Sequence, residues 1–541
     1  LMKILTVLAH AEHIPQPSSK LFCCRSVRRC IPLVYRQELY HILCMTGPLV
    51  ASRILNYLLP FVITMFCGRL GNSVLAGYGM ASATINITTA ATGGGLALAA
   101  DTLISQTYGG KNLRRVGIIL QRSVLILLIF CLPCWGLLIN TQPLLLLLGQ
   151  DPEVDMQLLY HFYSRVFFWL LYFSGSAAAN TISQVYICVF LYLYIRWKKL
   201  HVETWGGWSC GSLQEWDGYM KLAIPSTMML CFEWWIYEVG GFLAGMLGEL
   251  DLAAQHAVIM LAFINYMFPL GIQGAACVRV GNALGAGDTA GAIRTSKVSL
   301  TSALAVLQGL VLASTKTVIG FLFTSDGHIV ALVSKLLNVY CVLQFFDGLV
   351  CVSMGILLGS GQQKIAAVAN FFGYYCIGLP LGTSLMFAAK LDVVGFWLGL
   401  LICVCVQSSF FIAVIFKLNW ERVTKEAVER AGKRKIPAMS TPDSLRARHR
   451  EVCLMTFTDL NTKHLWKLSL MSYVEEKLST AQLILRRGLT TLAALLILAV
   501  GIAVHLTVPL PEVSYAVRAN TTLDSNFTTP SSLIHSTSIS I

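Results

Sequence analysis

The sequence predicts an all-α polytopic membrane protein: two helix bundles around a central cleft, plus an extra C-terminal membrane helix. Three observations lead there. Apolar runs long enough to span a bilayer, about 20 residues each, recur along the chain. Only 12% of the 541 residues are charged and 56% are hydrophobic, against about 25% charged in soluble proteins. A faint internal repeat relates the two halves.

The apolar runs fall at about 42–67, 75–100, 116–139, 158–195, 219–247, 252–277, 298–323, 328–358, 365–389, 393–416 and 488–506. The charges sit between them. Arg25, Arg28, Arg29 and Arg36 precede the first run, which puts the N-terminus in the cytoplasm. The links after the second, fourth, sixth and eighth runs are basic: Lys111, Arg114 and Arg115; Arg196, Lys198 and Lys199; Arg279 and Arg294; Lys364. The links after the third and fifth are acidic: Asp151, Glu153 and Asp155, then Glu249 and Asp251. If each run crosses once, every basic link faces inward. The segment Lys417–Arg487 holds 15 Lys+Arg and 8 Asp+Glu and also lies inside. The tail then emerges outside, where Asn520 and Asn526 head two glycosylation sequons. Asn86-Ile-Thr has the same pattern within a helix, where glycosylation is not expected. The net charge of +13 is thus a positive-inside pattern, not a nucleic-acid stripe.

The fourth run is anomalous. As one helix, Leu158–Ile195 would be about 57 Å long, and the hydrocarbon core is about 30 Å thick. Two crossings would invert every later link. The charge pattern demands an odd number, so this run is one broken passage or the sequence lacks a segment.

The repeat has an offset of 177 residues. Gly68-Arg-Leu-Gly71 with Leu75-Ala76 matches Gly245-Met-Leu-Gly248 with Leu252-Ala253. Ser105-Gln-Thr-Tyr-Gly-Gly110 matches Asn282-Ala-Leu-Gly-Ala-Gly287. Each copy reads as helix, short outer link, helix, then a small-residue turn inside. The copies share one orientation, and two such bundles with a cleft are a common transporter plan.

Glu233 and Glu238 lie in the otherwise uncharged stretch Pro225–Met246. A carboxylate in hydrocarbon costs about 2.5 kcal/mol or more, so such residues usually handle an ion, a proton or a charged substrate. Five residues apart, the two are separated by about 140° around a helix. One is expected to line the cavity and the other to face the lobe interior. Trp234, Trp235 and Tyr237 beside them suit an organic cation through charge pairing and cation–π attraction. A dry site disfavours the ionised carboxylate, so protons compete with the cation. The alternative is a structural glutamate bonded between helices.

The motifs Ala100-Asp-Thr-Leu-Ile-Ser-Gln-Thr-Tyr-Gly109, Thr204-Trp-Gly-Gly-Trp-Ser209, Val280-Gly-Asn-Ala-Leu-Gly-Ala-Gly-Asp288 and Gly359-Ser-Gly-Gln-Gln-Lys364 resemble the multidrug and toxin extrusion (MATE) family. Glu233-Trp-Trp-Ile-Tyr-Glu238 resembles its animal branch, and the likeness covers about 38–420. The resemblance implies two six-helix lobes and proton-coupled export of organic cations, drugs and toxins across the plasma membrane. Animal-branch members also carry a basic linker and a terminal helix. Asp347 falls where the family usually has Glu. Asn86 resembles a polar site of the first lobe, or is a packing asparagine. Tyr266 lines the cleft or packs. Arg53 stands where animal-branch members tend to have Gln, and a cation there would repel cationic substrates or have to snorkel. Arg165 poses the same problem, whereas Arg122 is near a helix end and is expected to snorkel.

Set beside the family, the fourth run joins the start of one helix to a later one near Gly175, and the fifth helix is missing. The first bundle is then short of about one and a half helices. A non-transporting product is the alternative this leaves open. The expected domains are a cytoplasmic segment (1–37), a truncated N-terminal lobe (38–200), a linker (201–218), a C-terminal lobe (219–418), a basic cytoplasmic linker (419–487), a terminal helix (488–506) and an extracellular tail (507–541).

Enzyme classes find no support. The Gly-rich turns lack the Lys-Ser/Thr of a P-loop, so transport is expected to run on gradients without ATP. No metal cluster or nucleophilic triad is legible, and no cofactor is expected beyond the coupling proton. Cys131-Leu-Pro-Cys134 has redox spacing but lies in a membrane helix. The apolar stretch Ile4–Ala9 is too short for a secretory signal core.

Overall fold

The computed structural model describes residues 32–70, 84–140, 174–199, 201–304, 308–323, 326–432 and 480–507. No strand occurs among them. In chain order the helices are α1 (Leu33–Leu70), α2 (Asn86–Gly109), α3 (Leu113–Ile139), α4 (Ser174–Trp197), α5 (Trp216–Leu247), α6 (Glu249–Ala286), α7 (Thr289–Leu304), α8 (Gln308–Thr315), α9 (Gly327–Ser360), α10 (Gln363–Ala388), α11 (Asp392–Lys417), α12 (Trp420–Arg430) and α13 (Thr480–Thr507). Eight of them are long and apolar enough to cross a membrane. Helix α5, 32 residues long, carries the two glutamates and is not one of the eight.

The apolar runs become helices, with boundaries moved by packing. Run seven is split between α7 and α8. The terminal helix starts at Thr480 instead of 488, and the first at Leu33 instead of 42. Only the end of the fourth run, α4, is described; residues 158–173, Arg165 among them, lie outside the described residues, as do both tail sequons. Within the supposed linker, α12 is an amphipathic helix that buries Trp420, Val423, Thr424 and Ala427.

Ser105–Gly109 and Asn282–Ala286 are not turns but the last turns of α2 and α6. The reason is tertiary. A Cβ on Gly285 would collide with the Gln106 carbonyl, and one on Gly109 with the carbonyl of Asn282. The missing side chains let the two helices touch backbone to backbone, a common device of membrane helices. Gln106 Nε2 donates to the Gly359 carbonyl at 2.9 Å, and Thr102 Oγ1 to that of Leu358 at 2.9 Å. Gln363 Nε2 donates to Thr102 Oγ1 at 2.8 Å. The turns proper are Gly287 (φ +86°) and Gly361 (φ +79°), both left-handed, where a side chain would be strained.

Ion pairs finish this basic end. Glu38 of α1 accepts from Arg279 Nε at 2.9 Å and Nη2 at 2.5 Å, and from the Thr295 hydroxyl at 2.7 Å. Arg122 does not snorkel. It is 4% exposed and pairs with Glu215 at 3.3 Å, which Arg115 also meets at 2.9 Å. A partner at the start of α5 removes the need to reach the headgroups. Helix α12 lies across this end, with Arg430 against Gly361 and Ala431, just past the helix, against Gly110.

The larger core is built from α5, α6, α9, α10 and α11. A smaller one joins α1, α2 and α3 to α5 and α6. Helix α13 packs on α3, with Gly136 against Gly501 and Asn140 Nδ2 donating to the Gly501 carbonyl at 2.8 Å. Helix α4 leaves Ile182, Val185, Tyr186, Phe190, Leu193 and Trp197 more than half exposed.

Candidate functional site

A cavity of about 580 Å³ opens between α1, α5, α6 and α9. That size is in the range of drug-sized ligand sites, about 300–1,000 Å³. Each helix contributes one face at helical spacing. Helix α5 gives Glu233, Trp234 and Tyr237. Helix α6 gives a stripe from Ile259 through Phe263, Tyr266 and Met267 to Leu270. Helix α9 gives Tyr340 and Asp347, two turns apart. Helix α1 gives Arg53, Asn56 and Tyr57, and Ala90 of α2 and Ile187 of α4 reach the wall.

Glu233 is 5% exposed, as is Asp347. The Tyr266 hydroxyl donates to Glu233 Oε1 at 2.6 Å. That bond satisfies one carboxylate oxygen and leaves the other for a ligand or a proton. Asp347 lies within electrostatic range of Glu233, so the chamber gathers two acids from two helices. Tyr237, Phe263 and Tyr340 bring aromatic surface beside them. A cation in this chamber would meet carboxylate charge and π faces together.

Glu238 is not part of the chamber. The 140° offset from Glu233 turns it away, but toward the first lobe rather than into the interior of its own. Asn86 Nδ2 donates to Glu238 Oε1 at 3.1 Å. Trp235 Nε1, on the same face, donates to the Ile87 carbonyl at 3.2 Å. Both partners belong to Asn86–Ala90, a π-helical opening to α2. Insertions of this kind are frequent at functional sites. Asn86 is thus a bridge between lobes, which also explains why its sequon is unsuited to glycosylation.

Of the seven expected site residues, Glu233, Trp234, Tyr237, Tyr266 and Asp347 come together in the cavity. Glu238 and Asn86 pair with each other outside it. The sequence reading did not foresee Asn56, Tyr57, Phe263 and Tyr340. Arg53 was noticed as an oddity, and its i, i+3, i+4 relation to Asn56 and Tyr57 is the signal that marks a shared face. Cys131 and Cys134 are free thiols, with Cys134 Sγ 3.7 Å from the Thr88 carbonyl.

The MatE family model matches residues 48–190 and 225–383, more than half of the chain. The two matches start 177 residues apart, the offset of the internal repeat, and the first is the shorter. The multidrug and toxin extrusion protein 1 of Danio rerio is 42% identical over 554 residues, covering 90% of this chain and 94% of that one. The protein of the same name from Homo sapiens is 40% identical over 541 residues, covering 88% and 95%. Among solved structures, the eukaryotic MATE transporter AtDTX14 superposes with a TM-score of 0.67 at 24% identity, over 73% of this chain and 99% of that one. The Vibrio cholerae MATE transporter VcmN in its bent form gives 0.55 at 16%, over 74% and 100%. These last two likenesses concern the fold. With the family model matching twice at the repeat offset and animal relatives at 40% identity or more over most of the length, the chain belongs to the MATE family of membrane transporters.

Proposed function

We propose that the chain is a proton-coupled antiporter that exports organic cations, drugs and toxins among them, across the plasma membrane. The observation that carries this reading is Glu233, held by Tyr266 in a chamber shared with Asp347 and aromatic side chains. The names of its animal relatives support extrusion. An organic cation enters from the cytoplasm and pairs with ionised Glu233, with Asp347 as the second negative group. After the chamber opens outward, a proton takes the carboxylate and the cation leaves. The Tyr266 hydroxyl keeps Glu233 in place in both states. One pH unit is worth about 1.4 kcal/mol, so one-for-one exchange gains about tenfold in gradient per unit. In this reading the basic end of α2, α6 and α9 faces the cytoplasm with the N-terminal segment (1–37) and the linker (419–487), and the tail is extracellular.

The test is uptake of a fluorescent organic cation into proteoliposomes under an imposed pH gradient. The unaltered chain should concentrate the probe, and Glu233→Gln should abolish the pH-driven component. Flux and pH dependence left intact by that change would remove Glu233 from the mechanism.

One observation favours a second reading, a membrane protein that does not transport. The apolar side of α4 is bare from Ile182 to Trp197 among the described side chains, with Trp197 74% and Ile182 67% exposed, as it would be if a neighbouring helix were lost. The alignment to the Danio rerio protein runs over 554 residues yet takes in 90% of this 541-residue chain, so it opens gaps somewhere in this chain. Absence of gradient-driven flux from well-localised protein selects this reading.

A further inference from the structure

The chamber that holds Glu233 and Asp347 also holds a fixed cation. Arg53 lies in the middle of α1, on the face shared with Asn56 and Tyr57, and lines the cavity. It therefore neither faces lipid nor snorkels. Its Nε is buried without a hydrogen-bond partner among the described residues. Asn56, a polar side chain on that face, spends its amide on the Ser52 carbonyl at 2.8 Å. Asp101 of α2 is within electrostatic range of Arg53, but its Oδ1 is itself buried without a hydrogen-bond partner. A guanidinium carries five donors in a planar fork that matches a carboxylate. Leaving its buried Nε unsatisfied is costly, and in a chamber for simple cations the guanidinium adds like-charge repulsion as well.

One ligand chemistry turns both costs into binding: a molecule with a cationic group at one end and a carboxylate at the other. We infer that Arg53 is a specificity-determining residue that takes the anionic end of zwitterionic substrates whose cationic end rests on Glu233 and Asp347. This rests on the reading of the cavity as a substrate site. It does not require that the chain complete a transport cycle.

The experiment reads binding, not flux. Two dyes differ only in the group at issue. Rhodamine 123 is a methyl ester and a cation, and rhodamine 110 is the same dye with a free carboxylate. Fluorescence anisotropy on the purified full chain gives the affinity for each, beside Arg53→Gln and Arg53→Lys. A charge-assisted bond in a dry site is worth about one order of magnitude in affinity. Arg53→Gln should weaken rhodamine 110 about tenfold and rhodamine 123 not at all, so the ratio of the two affinities shifts about tenfold toward rhodamine 123. Arg53→Lys, which keeps the charge but not the fork, should fall between. An unchanged ratio, equal losses for both dyes, or no binding of either dye to the unaltered chain would overturn the assignment. Binding with the expected ratio but no pH-driven flux would overturn the transport reading alone.

Discussion

The basic end of the molecule and its cavity are built from different materials. At the basic end, helices α2, α6 and α9 meet through backbone: glycines against carbonyls, with Thr102, Gln106 and Gln363 bonding across. In the cavity the same helix bundle stands apart, and the walls are side chains of mixed charge and large aromatics. A backbone contact admits almost no substitution, whereas a side-chain wall can change chemistry at constant shape. Close backbone packing is concentrated at the basic end and variable side-chain chemistry in the cavity.

That contrast can be broken from either side. The largest effect is expected for Gly285→Val, which drives a branched side chain into the Gln106 carbonyl. Overpacking costs about 1–3 kcal/mol where neighbours can yield, and backbone yields least, so detergent-purified variant should show little folded protein by size exclusion. Gly218→Ala, with nothing within 4 Å, should be indistinguishable from the unaltered chain. Next is Glu38→Ala, which leaves Arg279 without its carboxylate. Breaking a fully buried pair costs about 3–5 kcal/mol. Arg279 keeps 28% of its side chain exposed, so a loss of about 2 kcal/mol is expected, read as a lower Tm. Asn86→Ala removes one bond between the lobes and should cost about 1 kcal/mol, with Glu238→Gln, which can still accept from Asn86, costing less. The smallest effect on stability belongs to Asp347→Asn, a near-isosteric change in a cavity wall. Its Tm should shift by less than that of Asn86→Ala, while pH-driven cation flux falls. Asp347→Asn melting early with normal flux would erase the distinction between the basic end and the cavity.

The two ends were also unequally legible in the sequence. Backbone contact requires small residues in fixed order, so the basic end reads as long motifs, Ser105–Gly110 and Asn282–Gly287 among them. Those same small residues suggested turns, because glycine and alanine signal a break unless a partner helix is known to lie against them. In the cavity, Glu233 was legible since a charge in an apolar run needs a reason. Tyr340 and Phe263 were not, because aromatic residues are ordinary in membrane helices and only the crossing of α6 and α9 brings these two to one chamber. Helix α12 was hidden by its surroundings: the spacing of Trp420, Val423, Thr424 and Ala427 is helical, but it opens a strongly charged segment that reads as linker. The fate of Glu238 was half readable. Helical geometry gave the angle to Glu233, and only the position of α2 relative to α5 shows that the angle ends on Asn86.

The contact between Ser105–Gly110 and Asn282–Gly287 has a genealogical side. These are the two copies of one repeat, and they touch each other: Gly109 meets Asn282, and Gly285 meets Gln106. Interfaces between like surfaces are self-complementary, here within a single chain. A substitution in one copy is therefore judged at once by the other. After a duplication, segments that face lipid or cavity are free to drift apart, but two segments that serve as each other's mould are not. On this account, Ser105–Gly110 and Asn282–Gly287 still look alike because each is the other's neighbour.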